Sequence, residues 1–264
     1  MNKPTMSLVL PLSMTAWKVI ERFNGLVNGH QKSIRGFVIP MNWNSPLHPE
    51  FLTTDGRRFS VNRVFCIAKN YEEHAKEMGG EIDRKSPFYF QKSFDAVTFG
   101  PNVRYPTYTD DLHHEVELVA VVGKGGRNLS LGDAETVIFG YAVGIDFTRR
   151  DRQMEAKEKG RPWEVAKNFD DSGAMGVVTP KTEIGLIRDA VITLEVNGEL
   201  RQSGDIKQMA YNVAELIAFL STLQELKSGD LIYTGTPSGV SRVICGDRLV
   251  GKIDGLVDLD ICLV

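Results

Sequence analysis

The stretch Leu112-His113-His114-Glu115-Val116-Glu117-Leu118-Val119-Ala120-Val121-Val122-Gly123 limits the possible folds more than any other part of the chain. β-Branched and aliphatic residues dominate it and a glycine closes it, which predicts a strand. Side chains alternate across a strand, so Glu115 and Glu117 point to the same side. Val116, Leu118 and Val119 make the surroundings apolar. Two neighbouring carboxylates on such a surface repel each other and lose hydration, so they need a cation between them or a shared proton. A second apolar segment, Phe139-Gly140-Tyr141-Ala142-Val143-Gly144-Ile145, ends in Asp146. Three carboxylates at two strand ends suit a hard cation with oxygen ligands, most simply magnesium. The strand pattern alone favours a solvated face for Glu115 and Glu117 and a turn cap for Asp146, and the rest of the chain has to decide.

Other features bound the class. The 264 residues are enough for one large domain or two small ones, and 42% of them are hydrophobic, enough for a real core. Net charge is -3 with the two signs mixed, which points to neither nucleic acid nor an anionic membrane as partner. Cys66, Cys245 and Cys262 match no zinc spacing. Each lies in or beside an apolar run, which predicts buried, reduced thiols and a cytoplasmic setting. Leu8-Val9-Leu10-Pro11-Leu12 is too short for a signal core, and no run is long enough to span a bilayer.

In chain order, residues 1–60 read as an N-terminal appendage, with a short amphipathic helix at Met14–Phe23, and residues 61–264 as the main domain. Val64–Ala68 reads as a buried strand. After it, His74 and Glu77 share a helical face, where a carboxylate can orient an imidazole as a general base. An incidental ion pair on an exposed helix has the same pattern. Ser130-Leu131-Gly132-Asp133 opens a short helix through Ile138. Thr148–Gln153 begins a polar helical segment whose charges, taken alone, read as a solvated face. Asn197-Gly198 marks a hairpin, and Met209, Val213, Leu216, Ile217, Leu220 and Leu223 mark a core-facing helix. Thr234-Gly235-Thr236-Pro237-Ser238-Gly239 is either a tight turn or a loop presenting N–H groups to a carboxylate.

Taken in order, the motifs resemble the fumarylacetoacetate hydrolase family over roughly residues 61–264. The matching pieces are Asn70-Tyr71 with His74 and Glu77, Phe90-Gln91-Lys92, His114-Glu115-Val116-Glu117-Leu118, and Gly140-Tyr141 with Asp146. After these come Thr148-Arg149-Arg150-Asp151-Arg152-Gln153, Lys167-Asn168-Phe169, Val196-Asn197-Gly198-Glu199 with Arg201-Gln202, and Thr234-Gly235-Thr236-Pro237. Leu112–Leu118 and Lys159-Gly160-Arg161-Pro162-Trp163 look most like its acylpyruvase and fumarylpyruvate hydrolase branch.

The resemblance implies an α+β, β-rich fold, a mixed β-roll or sandwich with short helices, as a homodimer. It implies magnesium or manganese on Glu115, Glu117 and Asp146, and a catalytic His74–Glu77 dyad on a helix that closes over the substrate. It further implies that Lys167, Arg150, Gln153 and Thr236 contact a 2-oxo acid substrate or its developing charge. The reaction it implies is hydrolysis of an acylpyruvate in catabolism of aromatic or other 2-oxo acids. Oxaloacetate decarboxylation, hydration or isomerisation of an unsaturated 2-oxo acid, and a non-catalytic binding role are the alternatives. The chain departs from the family pattern at Lys69, at Ser172-Gly173-Ala174-Met175 and at Ser241.

Overall fold

A computed structural model describes residues 48–264. The helix expected at residues 14–23 and most of the expected appendage lie outside them. Within the described residues the architecture is α+β and β-rich, with two large sheets, smaller ones and short helices. The larger sheet runs, in spatial order, Phe88–Lys92, Val64–Ala68, Leu231–Tyr233, Val116–Val122, Ile138–Asp146, Gly173–Met175 and Val97–Thr98. It is mixed: Leu231–Tyr233 is parallel to Val64–Ala68 and antiparallel to Val116–Val122. The second sheet runs Glu199–Asp205, Val191–Val196, Arg248–Ile253, Leu259–Leu263 and Asn102–Val103.

Val116–Val122 is buried along its whole length. Val116, Leu118, Ala120 and Val122 join the main core, with Leu194, Leu249 and Ile261 of the second sheet and Leu216 and Leu220 of the helix Val213–Leu223. Val119 and Val121 face the other way, into a cluster with Phe51, Val64, Met175 and Tyr233. Burial on both faces explains an aliphatic run with almost no polar interruption.

The strand expected through Leu112–Gly123 is divided. Leu112–His113 pairs with Thr148–Arg149 and Arg242–Val243 in a separate three-stranded sheet. Between the two strands, His114 N–H donates to Ser241 O at 3.3 Å and Glu115 O accepts from Asp146 N–H at 2.8 Å. The chain changes sheets there, a switch that a hydrophobicity pattern does not record.

Local chemistry accounts for other elements. Asn197 and Gly198 both have positive φ, 53° and 83°, as a two-residue hairpin between right-twisted strands requires. Helix Val213–Leu223 starts from a capping box between Asn212 and Glu215. Met209, expected in this helix, precedes it after the turn Ile206–Gln208. Ser130 caps Leu131–Val137 by accepting from Asp133 N–H at 3.2 Å. Residues Glu50–Leu52 and Arg58–Ser60, grouped by sequence with the N-terminal segment, form a hairpin with Phe51 buried in the second cluster. The cysteine expectation holds only in part. Cys66 is buried, Cys262 is half-buried and Cys245 is exposed, because its apolar run leaves a strand at Val243 and enters a turn. No helix among the described residues is long and apolar enough to cross a membrane.

Asp230 anchors the start of the central strand Leu231–Tyr233. Its fully buried carboxylate accepts from Asn62 Nδ2 at 2.7 Å, Arg63 Nε at 3.0 Å and Lys227 N at 2.8 Å. Asp230→Ala strands these donors and is expected to cost about 2–4 kcal/mol of unfolding free energy in urea titrations. An unchanged midpoint would show that water replaces the carboxylate at no cost.

Candidate active site

Two antiparallel strands and one backbone hydrogen bond bring the three carboxylates together. Glu117 lies opposite Gly144, and Asp146 ends the partner strand. Glu115 precedes Val116, and its carbonyl holds the N–H of Asp146. A side chain at position 144 would meet Val119 Cγ2 at 2.5 Å and Tyr233 Cε1 at 2.7 Å, so the crossing requires glycine. One carboxylate oxygen from each of Glu115, Glu117 and Asp146 lies within 4.8 Å of the others, and all three residues are buried.

Three cations surround this cluster. Lys167 Nζ is 2.7 Å from Glu115 Oε2, 2.8 Å from Asp146 Oδ2 and 2.6 Å from Thr148 Oγ1. Lys92 Nζ is 2.8 Å from Asp146 Oδ1, and it also donates to the Lys167 carbonyl and to Ser172 Oγ. Arg150 donates to Glu115 Oε1 and to Gln153 Oε1, each at 2.6 Å. Glu117 has no basic partner among the described residues; its Oε2 accepts the Gly235 N–H at 2.7 Å. Burial therefore pushes the Glu117 carboxyl well above its usual range, and the charges of Asp146 and Glu115 push it further. Burial also opposes ionisation of Glu115, but Lys167 and Arg150 outweigh it and hold its pKa low. For Lys167, burial disfavours the ammonium, and Asp146 and Glu115 more than restore it. An all-oxygen cluster with one uncompensated carboxylate fits a hard divalent cation.

His74 sits on the short helix Glu72–Glu77, its Nδ1 3.1 Å from Glu77 Oε2. An ionised carboxylate only accepts, so Nδ1 carries the hydrogen and Nε2 is left as the basic nitrogen. Burial opposes ionisation of Glu77, but hydrogen bonds from His74 and from Gly239 N–H, at 3.1 Å, win and lower its pKa. Buried Asn70 ties this helix down: its Nδ2 donates to Thr234 O and Tyr211 O, and its Oδ1 accepts Tyr211 N–H. The loop Thr234–Gly239 thus gives its N–H groups to two of the protein's own carboxylates, Glu117 and Glu77.

His74, Glu115, Glu117, Arg150, Gln153, Lys167 and Thr236 line one cleft. Glu77 stands behind His74, and Asp146 behind Lys167. A family model described as fumarylacetoacetate (FAA) hydrolase C-terminal matches residues 63–264. The chain belongs to the fumarylacetoacetate hydrolase family.

Among its relatives in this family, a fumarylpyruvate hydrolase of a Ralstonia species is 41% identical over 187 residues, 70% of this chain and 97% of that one. A mitochondrial oxaloacetate decarboxylase of Dictyostelium discoideum is 39% identical, covering 74% of this chain and 89% of that one. The crystal structure of fumarylpyruvate hydrolase from Pseudomonas aeruginosa in complex with Mn2+ and pyruvate is 44% identical, with a TM-score of 0.80 over 83% of this chain and 96% of that one.

Some residues at the site escape a sequence reading. Lys92 is visible at a strand end, but its pairing with Asp146 is not. Fully buried Gln202 is another. Its Oε1 accepts from Val116 N–H at 3.0 Å, and its Nε2 donates to Pro237 O at 2.9 Å and Thr236 Oγ1 at 2.8 Å. These backbone partners fix the amide orientation, so His114 Nδ1 donates to Gln202 Oε1 at 2.9 Å. His114 Nε2 then accepts from Ser241 Oγ at 2.9 Å, which gives the Ser241 departure a partner. Burial pulls the His114 pKa down to about 4, consistent with a neutral ring.

Lys92→Met removes a fully buried cation from Asp146 and from the carbonyl of Lys167. Breaking a buried pair from one side typically costs about 3–5 kcal/mol. A loss of that order in equilibrium unfolding is expected; a loss below about 1 kcal/mol would mean that Lys167 alone neutralises Asp146.

Proposed function

We propose that the chain is a divalent-metal-dependent hydrolase that cleaves the carbon–carbon bond of an acylpyruvate. Fumarylpyruvate is the favoured substrate, giving fumarate and pyruvate, in the catabolism of aromatic or other 2-oxo acids by a cytoplasmic homodimer. The observation that carries this reading is the His74–Glu77 pair sharing one cleft with the carboxylate cluster and Lys167. The Ralstonia and Pseudomonas relatives support the choice of substrate.

Glu115, Glu117 and Asp146 would hold the metal, magnesium or manganese. When bound, such a cation supplies fixed positive charge to the oxygens of a 2-oxo acid and to the enolate that forms from it. Arg150, Gln153 and Thr236 bind and orient the substrate. His74 Nε2 takes a proton from water while Glu77 holds Nδ1–H and stabilises the imidazolium. The water oxygen bonds to the distal carbonyl carbon. The bond from that carbon to the methylene then breaks, and its electron pair leaves with pyruvate as the enolate. Lys167, itself buried, keeps a compact positive charge where this negative charge develops. The proton taken up by His74 ends on the enolate, giving pyruvate and a neutral imidazole, and the acyl carbon departs as a carboxylic acid.

The Dictyostelium relative supports a second reading, oxaloacetate decarboxylation. That reaction needs the same stabilised enolate but no attacking water, so the His74–Glu77 pair favours hydrolysis. Incubating magnesium-loaded protein with fumarylpyruvate, acetylpyruvate and oxaloacetate, and identifying products, tests the choice. Fumarate and pyruvate are expected. Pyruvate from oxaloacetate with intact acylpyruvates would select the decarboxylase, and no turnover with no oxalate affinity would leave a binding protein.

Glu115→Ala, Glu117→Ala and Asp146→Ala should each weaken magnesium binding in calorimetric titrations; wild-type affinity in all three would sink the ligand assignment. A positioned general base contributes about 10²–10⁴-fold. His74→Ala should lose that factor against an acylpyruvate and keep most of any oxaloacetate decarboxylation. Hydrolysis at the wild-type rate in this variant would remove His74 from the reaction.

A further inference from the structure

Two lysines of the cleft have no task in the reaction proposed above. Lys69 and Lys157 line it together with His74, Glu115 and Thr236. Neither forms an ion pair among the described residues, whereas Lys159, two positions beyond Lys157, meets Glu155 at 2.6 Å. Lys69 holds a left-handed backbone, φ 54°, and its side chain crosses bare Gly80, where a Cβ would stand 2.5 Å from the ammonium. The Lys157 ammonium is destabilised by partial burial and then by the charges of Arg150 and Lys69. Two ammonium groups in one cleft, neither with an ion-pair partner of its own among the described residues, favour an anion between them.

The route from the reacting end to these lysines is also defined. Arg150, Gln153 and Lys157 follow one another at i, i+3 and i+7 on the helix Arg150–Glu158 and so share a face. At 1.5 Å rise per residue, Lys157 stands about 10 Å along the axis from Arg150. Two aromatic rings line the same cleft. Lys167 Nζ lies 5.0 Å from the Phe90 ring centroid, Phe90 lies 6.2 Å from Trp163, and Lys157 Nζ lies 5.4 Å from Trp163. Phe90 and Trp163 both line the cleft.

We infer that Lys69 and Lys157 form a subsite for a second carboxylate at the far end of the substrate. The chain then selects acylpyruvates whose acyl group ends in a carboxylate over those that end in an alkyl group. The pyruvate half sits at Arg150 and Lys167, the acyl chain lies along Phe90 and Trp163, and the distal carboxylate meets the two ammonium groups. This inference rests on the acylpyruvate reading. An alkyl-ended substrate leaves both ammonium groups unpaired, which is how a polar site rejects an analogue that lacks the matching group.

The test is binding, with two ligands of equal chain length that cannot be cleaved because they lack the second keto group. These are 2-oxopimelate, which carries the distal carboxylate, and 2-oxoheptanoate, which does not. Calorimetry with magnesium-loaded protein should show tighter binding of 2-oxopimelate. Lys69→Met and Lys157→Met should each remove roughly tenfold of that preference, and the double variant nearly all of it, as expected for lost charged hydrogen bonds. The ratio of kcat/KM for fumarylpyruvate to that for acetylpyruvate should fall in parallel, through KM. Equal wild-type affinities, or an unchanged preference in the double variant, would overturn the subsite. Oxalate affinity lost along with 2-oxopimelate affinity would also overturn it, assigning the lysines to the site common to all 2-oxo acids. Preference for 2-oxopimelate that depends on both lysines, in a protein that cleaves no acylpyruvate, would support the subsite and overturn the hydrolase reading alone.

Discussion

Everything at the site follows from putting three carboxylates where water cannot hydrate them. Desolvation alone would keep Glu115, Glu117 and Asp146 protonated. The chain opposes this with Lys167 between Glu115 and Asp146, Lys92 behind Asp146 and Arg150 on Glu115. Each cation comes from a different part of the chain: a sheet-edge strand, the helix Arg150–Glu158, and the short helix Glu164–Lys167. The charge cluster therefore forms only when the whole sheet and both helices are in place. Glu117 is left with a single backbone N–H, and this imbalance is what a divalent cation would correct.

The order of the sheet serves this requirement. The chain leaves the small sheet at His113, crosses His114 and Glu115, each held by one backbone bond, and enters the strand Val116–Val122. Glu115 stands opposite Asp146, in register with the Val116–Ile145 pair. The Glu115 carbonyl takes the Asp146 N–H, and the side chain meets Arg150 and Lys167. Gln202 spans the break, holding Val116 N–H and His114 on one side and Thr236 and Pro237 on the other.

The strands and the carboxylates were legible in the sequence because each depends on local pattern. Val116–Val122 and Ile138–Asp146 are aliphatic runs, Asn197-Gly198 fits one turn type, and the Glu115–Glu117 spacing needs only strand alternation. His74 and Glu77 were legible as a pair because three residues make most of a helical turn. Lys92, Gln202 and Asn70 were not legible in their roles. Each acts through a partner 34 or more positions away, at Lys167, at Thr236 and at Tyr211 or Thr234. No periodicity encodes such pairings; only the fold does. The exposed Cys245 failed for the converse reason, since apolar neighbours in sequence do not bury a residue in a turn.

One loop joins the two halves of the proposed chemistry. Gly235 N–H holds Glu117, a proposed metal ligand, and Gly239 N–H holds Glu77, which orients the proposed base. Asn70, at the start of the base's helix, grips Thr234 in the same loop. Gly235 has φ 96°, and a Cβ there would stand 2.8 Å from Asn70 Cβ, so loop and helix can approach this closely only with glycine at that position. A shift of the loop that released Glu117 would therefore also release Glu77. The proposed base's partner and one proposed metal ligand are thus held by one backbone segment, which couples the position of Glu77, and through it the His74 ring, to that of Glu117.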